Sequence, residues 1–231
     1  MKAFKSKTLG ILTSLDFKKV HIQLLYWFGF LILTAAAFLA FAPPVWVLLS
    51  SMKDVNEFFS IPPTLIPKTF HPEKLVTTWN RIGFMKFYVN SLTVVAGCVV
   101  FSLVFNGLFA YVISKIKPKG YQIVYALVMW SLMIPGTMGL IPLFQNIVGL
   151  KLIDTFIPLW FIAGANAFTI VLYKNFYDSI PNELLEAAKI DGANELTVFA
   201  KIIFPISKAI NMVVLIFPVN AACSDFLLPF L

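Results

Sequence analysis

Two sets of polar residues interrupt an otherwise apolar chain, and both are of types that bind rather than react. The first is Asn106, Asn166, Asn211, Asn220 and Asp225, each within a long apolar stretch. Such groups are costly at membrane depth unless they face a cavity, a partner or one another. Amides donate to and accept from hydroxyls, and carboxylates accept from them, so a polyhydroxyl solute is a suitable ligand. Asn166, Asn220 and Asp225 are the candidates for a solute path. Asp225 has a second reading, as a carboxylate at the membrane interface or paired within a dimer. Trp130 and Trp160 are of a type that stacks on sugar faces and equally of a type that lies against lipid.

The second set is the run Glu183-Leu184-Leu185-Glu186-Ala187-Ala188-Lys189-Ile190-Asp191-Gly192-Ala193, continuing to Ile202-Ile203-Phe204-Pro205. It carries helix punctuation. Pro181 suits a first turn, where its missing N–H does no harm. Glu183 and Glu186 complement the N-terminal end of the dipole, Gly192 can take the left-handed position after the last turn, and Asn194 can cap a second helix over 195–203. Leu184, Ala187, Ala188 and Asp191 follow a spacing that puts them on one face. Small residues there let a partner's backbone come close, as in a helix seated in a groove. The competing reading is an amphipathic helix lying flat on lipid. Glu183, Glu186 and Asp191 against Lys189 make the helix acidic, which anionic lipid would repel. The docking candidates are therefore Glu183, Leu184, Glu186, Ala187, Ala188, Asp191 and Gly192. No catalytic or metal-binding set stands out. Cys98 and Cys223 read as small buried hydrophobes within spans, and His21 and His71 are isolated interfacial residues.

These sets must be positioned by membrane helices. The 231 residues are 59% hydrophobic and 13% charged, more apolar surface than a soluble domain can hide. The expected class is all-α, a polytopic membrane protein with five transmembrane helices. The stretches are about 24–49, 91–113, 123–142 (broken at Pro135-Gly136, for gating or only for packing), 156–173, and 209 to the C-terminus. The first is too long for a cleaved signal segment. Lys2, Lys5, Lys7, Lys18 and Lys19 keep residues 1–23 in the cytoplasm, and Lys115, Lys117 and Lys119 do the same for the link after the second stretch. Residues 174–208 then return to the cytoplasm. Residues 51–90 read as a proline-rich outer loop, although Lys53, Lys68, Lys74, Arg81 and Lys86 run against that placement. The net charge of +7 sits mostly beside spans, which points to topology and anionic lipid rather than nucleic acid.

Glu186-Ala187-Ala188, Gly192, Ile202 and Pro205 resemble the "EAA" loop of permease subunits of bacterial ABC importers. The longer run from Ile180 to Glu195 is similar to the carbohydrate-uptake branch, the maltose-permease-like proteins. Asn90-Ser91-Leu92, Met133-Ile134-Pro135-Gly136, Leu140-Ile141-Pro142-Leu143 and Leu152-Ile153-Asp154-Thr155 agree, so the likeness covers nearly everything from residue 40. It implies a transmembrane domain over 24–231 with its coupling loop at 174–208, in a bacterial inner or plasma membrane. It implies a second permease subunit, a cytoplasmic ABC ATPase dimer that seats the loop, and an extracytoplasmic solute-binding protein. It implies transport, not an enzyme, and no cofactor, in keeping with the lack of a Gly-x-x-x-x-Gly-Lys-Ser/Thr phosphate loop. Departures are Cys223-Ser224 before Asp225-Phe226-Leu227, where the family carries an aromatic and an amide, and Ala209 where it carries proline. A sixth span and a short tail are also expected of the branch. A truncated protein, a frameshifted product and a short variant all fit the end at Leu231. A remnant or membrane scaffold and an importer of a non-sugar solute are the competing functions.

Overall fold

The structure, a computed structural model, describes residues 20–230, and all regular structure among them is helical. The N-terminal lysines Lys2, Lys5, Lys7, Lys18 and Lys19 lie outside the described residues, as does Leu231. The chain divides into two units, Met1–Phe84 and Met85–Leu231.

In the first unit, helix α1 (Val20–Ser51) runs for 32 residues, about 48 Å at 1.5 Å per residue. It is apolar on every side, and Pro43 and Pro44 lie inside it. A helix of that kind is a membrane or core element. The loop after it is tied together by charge. Lys53 is buried, with its ammonium 4.2 Å from the centre of the Trp46 ring and donating to the Thr64 carbonyl. Lys74 donates to the Lys53 carbonyl at 2.8 Å and to Asp54 at 3.0 Å, and His71 lies 2.7 Å from Glu73. Two of the basic residues that complicated an outer placement are thus engaged within the loop itself. Helix α2 (Glu73–Ile82) closes it and ends at Gly83, whose φ is 66°.

Helix α3 (Phe84–Ile116), all but its first residue in the second unit, is 33 residues long and apolar. It is not uniform: Ser102–Asn106 and Val112–Ile116 are π turns. Such turns carry an extra residue per turn and mark irregular packing or function. Helix α4 (Tyr121–Ser131) follows. After a 3₁₀ turn at Gly136–Gly139 comes α5 (Leu140–Gly149). Helices α6 (Ile157–Gly164) and α7 (Ala167–Asp178) are bent 40° at a short break. Helix α8 (Glu183–Ile190) is followed by α9 (Glu195–Ile206), which meets α10 (Lys208–Ser224) at 86°.

By length and apolarity, α1 and α3 can cross a membrane among the described residues, and up to four spans result if each bent pair counts as one. The stretch expected over 123–142 is two separate helices. Pro135 lacks an N–H and biases the residue before it away from the helical region, so α4 stops after 11 residues, about 16 Å. The core of the second unit lies where α3, α7, α9 and α10 meet. It is built on Tyr111, Tyr173, Tyr177, Val198, Ile203 and Val214, all buried. Tyr173 and Tyr177, one turn apart on α7, stack with ring centres 5.3 Å apart.

Candidate functional site

Asn106 is fully buried, at 0% exposure, and its place explains the break between α6 and α7. Its Nδ2 donates to the Ala163 carbonyl at 2.9 Å and to Ser102 Oγ at 3.2 Å, while its Oδ1 accepts from the Asn166 backbone N–H at 3.0 Å. A break in a helix leaves backbone groups without intrahelical partners, and the Asn106 amide takes up one on each side of it. Asn166 then caps α7, its Oδ1 accepting from the Thr169 N–H at 2.9 Å. Gly164 permits the close approach: a side-chain carbon there would stand 3.3 Å from the Phe101 carbonyl oxygen. Asn211 treats the second bend in the same way. It donates to the Phe204 carbonyl at 3.0 Å and accepts from the Tyr173 hydroxyl at 2.9 Å. Asn106 and Asn211 therefore hold backbone rather than face a solute.

The three solute-path candidates come together. Asn166, Asn220 and Asp225 line one cavity of about 360 Å³, bounded by α3, α6, α7 and α10. The Asn166 Oδ1 is spent on the cap. One Asp225 oxygen accepts from the Leu227 and Leu228 N–H groups at 3.0 and 3.2 Å, leaving the other available. Sequence reasoning missed the aromatic wall. Phe168 and Phe217, 5.3 Å apart edge to face, also line the cavity. Amides, a carboxylate and aromatic rings around such a space can hold a ligand that mixes hydroxyls with apolar faces. Trp130 and Trp160 do not line it. Trp160 packs over Gly97, where an added side-chain carbon would meet the indole at 2.1 Å. Of the cysteines, Cys98 is buried on the cavity wall but Cys223 is exposed in this chain. The expectation of a buried Cys223 is corrected: Asn220, Ala221 and Ala222 beside it line the cavity, and Cys223 does not.

Helix α8 starts two residues later than the proline suggested. Asn182 is the N-cap, and Pro181 precedes it. Glu183 and Glu186 do occupy the first turn, and Gly192 takes the left-handed φ of 82°. Asn194 caps α9, its side chain accepting from the Thr197 N–H at 2.8 Å. The proposed single face is divided. Ala188 is buried together with Leu185, while Leu184, Ala187 and Asp191 are exposed. Leu185 and Ala188 are three apart and form the underside against the core. The outward side carries Glu183, Glu186, Ala187 and Ile190, which is 86% exposed. Ile190 was missed, yet an isoleucine four residues beyond Glu186 and between two charged residues was the available signal. A side-chain carbon added at Gly192 would meet nothing within 4 Å, so it is the φ rather than crowding that calls for glycine where the helix ends.

Comparison with known proteins accords with this architecture. Residues 104–229 match the family model described as binding-protein-dependent transport system inner membrane component. The chain is 29% identical to a diacetylchitobiose uptake system permease protein of Streptomyces coelicolor, over 81% of this chain and 62% of that protein. It is 33% identical to a probable ABC transporter permease protein of Bacillus subtilis, over 78% of this chain and 59% of that one. A galactooligosaccharides transport system permease protein of Bacillus subtilis is 32% identical, over 90% of this chain and 74% of the relative. For the first two, the chain spans about three fifths of the relative's length. A crystal structure of a bacterial ABC transporter that imports alginate has a chain of the same fold. The TM-score is 0.74 at 23% identity, covering 88% of this chain and 72% of that one.

Proposed function

Because the chain belongs to the binding-protein-dependent transport system inner membrane component family, we propose that it is the membrane-spanning permease subunit of an ATP-driven sugar importer. It is a transport component rather than an enzyme. Its working assembly has a second permease subunit, a cytoplasmic ABC ATPase dimer and an extracytoplasmic solute-binding protein, held in the bacterial inner or plasma membrane among lipids. Residues 24–231 form the transmembrane domain with five crossings, residues 1–23 lie in the cytoplasm, and residues 174–208 form the coupling loop. The cavity at Asn166, Asn220 and Asp225 belongs to the translocation path. Relatives named for diacetylchitobiose and galactooligosaccharides favour an oligosaccharide, which the hydroxyl-matching groups of the cavity suit.

One observation carries the coupling half of this reading. Helix α8 buries Leu185 and Ala188 beneath it and turns Glu183, Glu186, Ala187 and Ile190 outward. An acidic helix with one small and one apolar residue on its outer side fits a groove in a soluble partner. Glu183, Leu184, Glu186, Ala187 and Asp191 form or flank the contact, Ala188 anchors it from below and Gly192 sets its end. The ATPase dimer, closing on nucleotide, pulls this helix and switches the permease between its inward and outward openings.

The test is retention of the ATPase during purification of the assembled transporter. Replacing Ala187 with Arg puts a long charged side chain in the contact, and Gly192→Pro disturbs the helix end. Both are expected to reduce retention at least tenfold while the permease still reaches the membrane. Full retention and uptake with both variants would falsify the docking reading. Labelling of single cysteines at 183–192 from outside intact cells would do the same.

A further inference from the structure

Two side chains of α3 tie to the two ends of α8, Lys115 at the N-cap directly and Tyr111 through Glu195 of α9. They stand four residues apart across a π turn (Val112–Ile116). Lys115 Nζ donates to the Ile180 carbonyl at 2.6 Å and to Asn182 Oδ1 at 2.9 Å. Asn182 is the N-cap of α8, and its carbonyl accepts from the Leu185 and Glu186 N–H groups. At the other end, the Tyr111 hydroxyl donates to Glu195 Oε2 at 2.7 Å. The second oxygen of that carboxylate lies 2.6 Å from Lys189 Nζ, in the last turn of α8. Glu195 thus joins the first residue of α9 to the end of α8 and to α3 at once. Tyr111 is 1% exposed, so its hydroxyl is shielded, while the Glu195 carboxylate it meets is 42% exposed.

Between these ties, among the described residues, α8 contributes Leu185 and Ala188 to the buried core. Apolar contact is non-directional and permits sliding or swivelling. Charge-assisted hydrogen bonds are short and fix direction. A body held at one point passes on displacement but can rotate about that point. Held at two points, it passes on rotation as well. The eight residues of α8 separate the ties by about 12 Å.

We propose that Tyr111 and Lys115 form a two-point clamp that makes α8 turn as one piece with α3, so that motion of the docked helix is delivered to the membrane helices. They are positioning residues: neither reaches the cavity nor the outward side of α8. The proposal rests on the coupling reading above and adds the route by which the motion enters the bundle.

The experiment uses the complete transporter in proteoliposomes, with its second permease, ATPase and solute-binding protein, and measures ATP hydrolysed per solute imported. Tyr111→Phe, Lys115→Met and the double variant are compared with the unmutated protein. Each single variant is expected to raise the ratio about three- to tenfold, with the ATPase retained and the solute KM unchanged. The double variant is expected to be no worse than the stronger single, because loss of either tie already frees the swivel. An unchanged ratio in the single variants, or losses that multiply fully in the double, overturns the clamp. Tyr111→Phe removes one hydroxyl and decides the matter alone if Lys115→Met does not assemble. Failure of the unmutated permease to retain the ATPase would sink the coupling reading itself, whereas retention with an unchanged ratio sinks only the clamp.

Discussion

The two ends of the second unit use polar side chains in opposite ways. Around α8 and α9 they are paired with one another: Tyr111 with Glu195, Glu195 with Lys189, Lys115 with Asn182. At the cavity, Asn166, Asn220 and Asp225 all line the wall, with only Asn166 Oδ1 and Asp225 Oδ1 engaged, by backbone N–H groups. Paired groups hold geometry and transmit force. Unpaired groups are available to a ligand. Between the two ends, Asn106 and Asn211 serve neither purpose directly; they satisfy backbone where helices break and so keep the ends at fixed distances.

The sharpest way to break this contrast is to remove the element both ends share. Asn106→Leu leaves the Ala163 carbonyl and the Asn166 N–H without the bonds now made to them. Each unsatisfied buried group costs about 1–3 kcal/mol, so a loss of about 2–6 kcal/mol is expected for the two, seen as a lower Tm of the purified permease and disturbance at both ends. A smaller, one-sided effect is expected from Asn220→Leu. Losing one or two hydrogen bonds to solute costs about 1.4 kcal/mol, or tenfold in apparent affinity, measured as uptake KM with ATPase retention unchanged. If retention falls too, the two ends are not separable.

Gly192→Ala should act on the other end alone. Forcing a side chain into φ 82° costs about 1–2 kcal/mol, and proteolysis between α8 and α9 should quicken by about tenfold without any change in uptake KM. The loop after α1 offers the smallest effect and a contrast with both. Hydrogen bonds from Lys74 and Thr69 hold the Asp54 carboxyl below its ordinary 3.8. A depressed folded value stabilises above 3.8, and that contribution is lost as pH falls through the lowered value. Exposed pairs are worth little, so hydrogen exchange in residues 53–74 should rise less than about tenfold between pH 5 and pH 3, after correction for intrinsic rates.

Local structure was legible where a residue acts on its own neighbours. Glu183 and Glu186 in a first turn, Gly192 in the left-handed region and Asn194 as a cap all follow from chemistry within four residues along the chain. The underside of α8 was not legible. Leu184, Leu185, Ala187 and Ala188 are alike enough in sequence that only the position of the core chose Leu185 and Ala188. Pro135-Gly136 announced an interruption, but a kinked span and two separate helices share that signature, and their difference lies in what packs on either side.

Composition by itself determined that this is a helical membrane protein, because so many apolar side chains with so few charges have no soluble arrangement. The order of its motifs determined the family resemblance. Tertiary structure alone decided which polar residues hold backbone and which face the cavity. Asn106, Asn166, Asn211 and Asn220 are the same amide in similar apolar settings. Their roles differ because an amide is satisfied by whichever donor or acceptor packing brings within about 3 Å, and those partners lie up to sixty residues away in the chain.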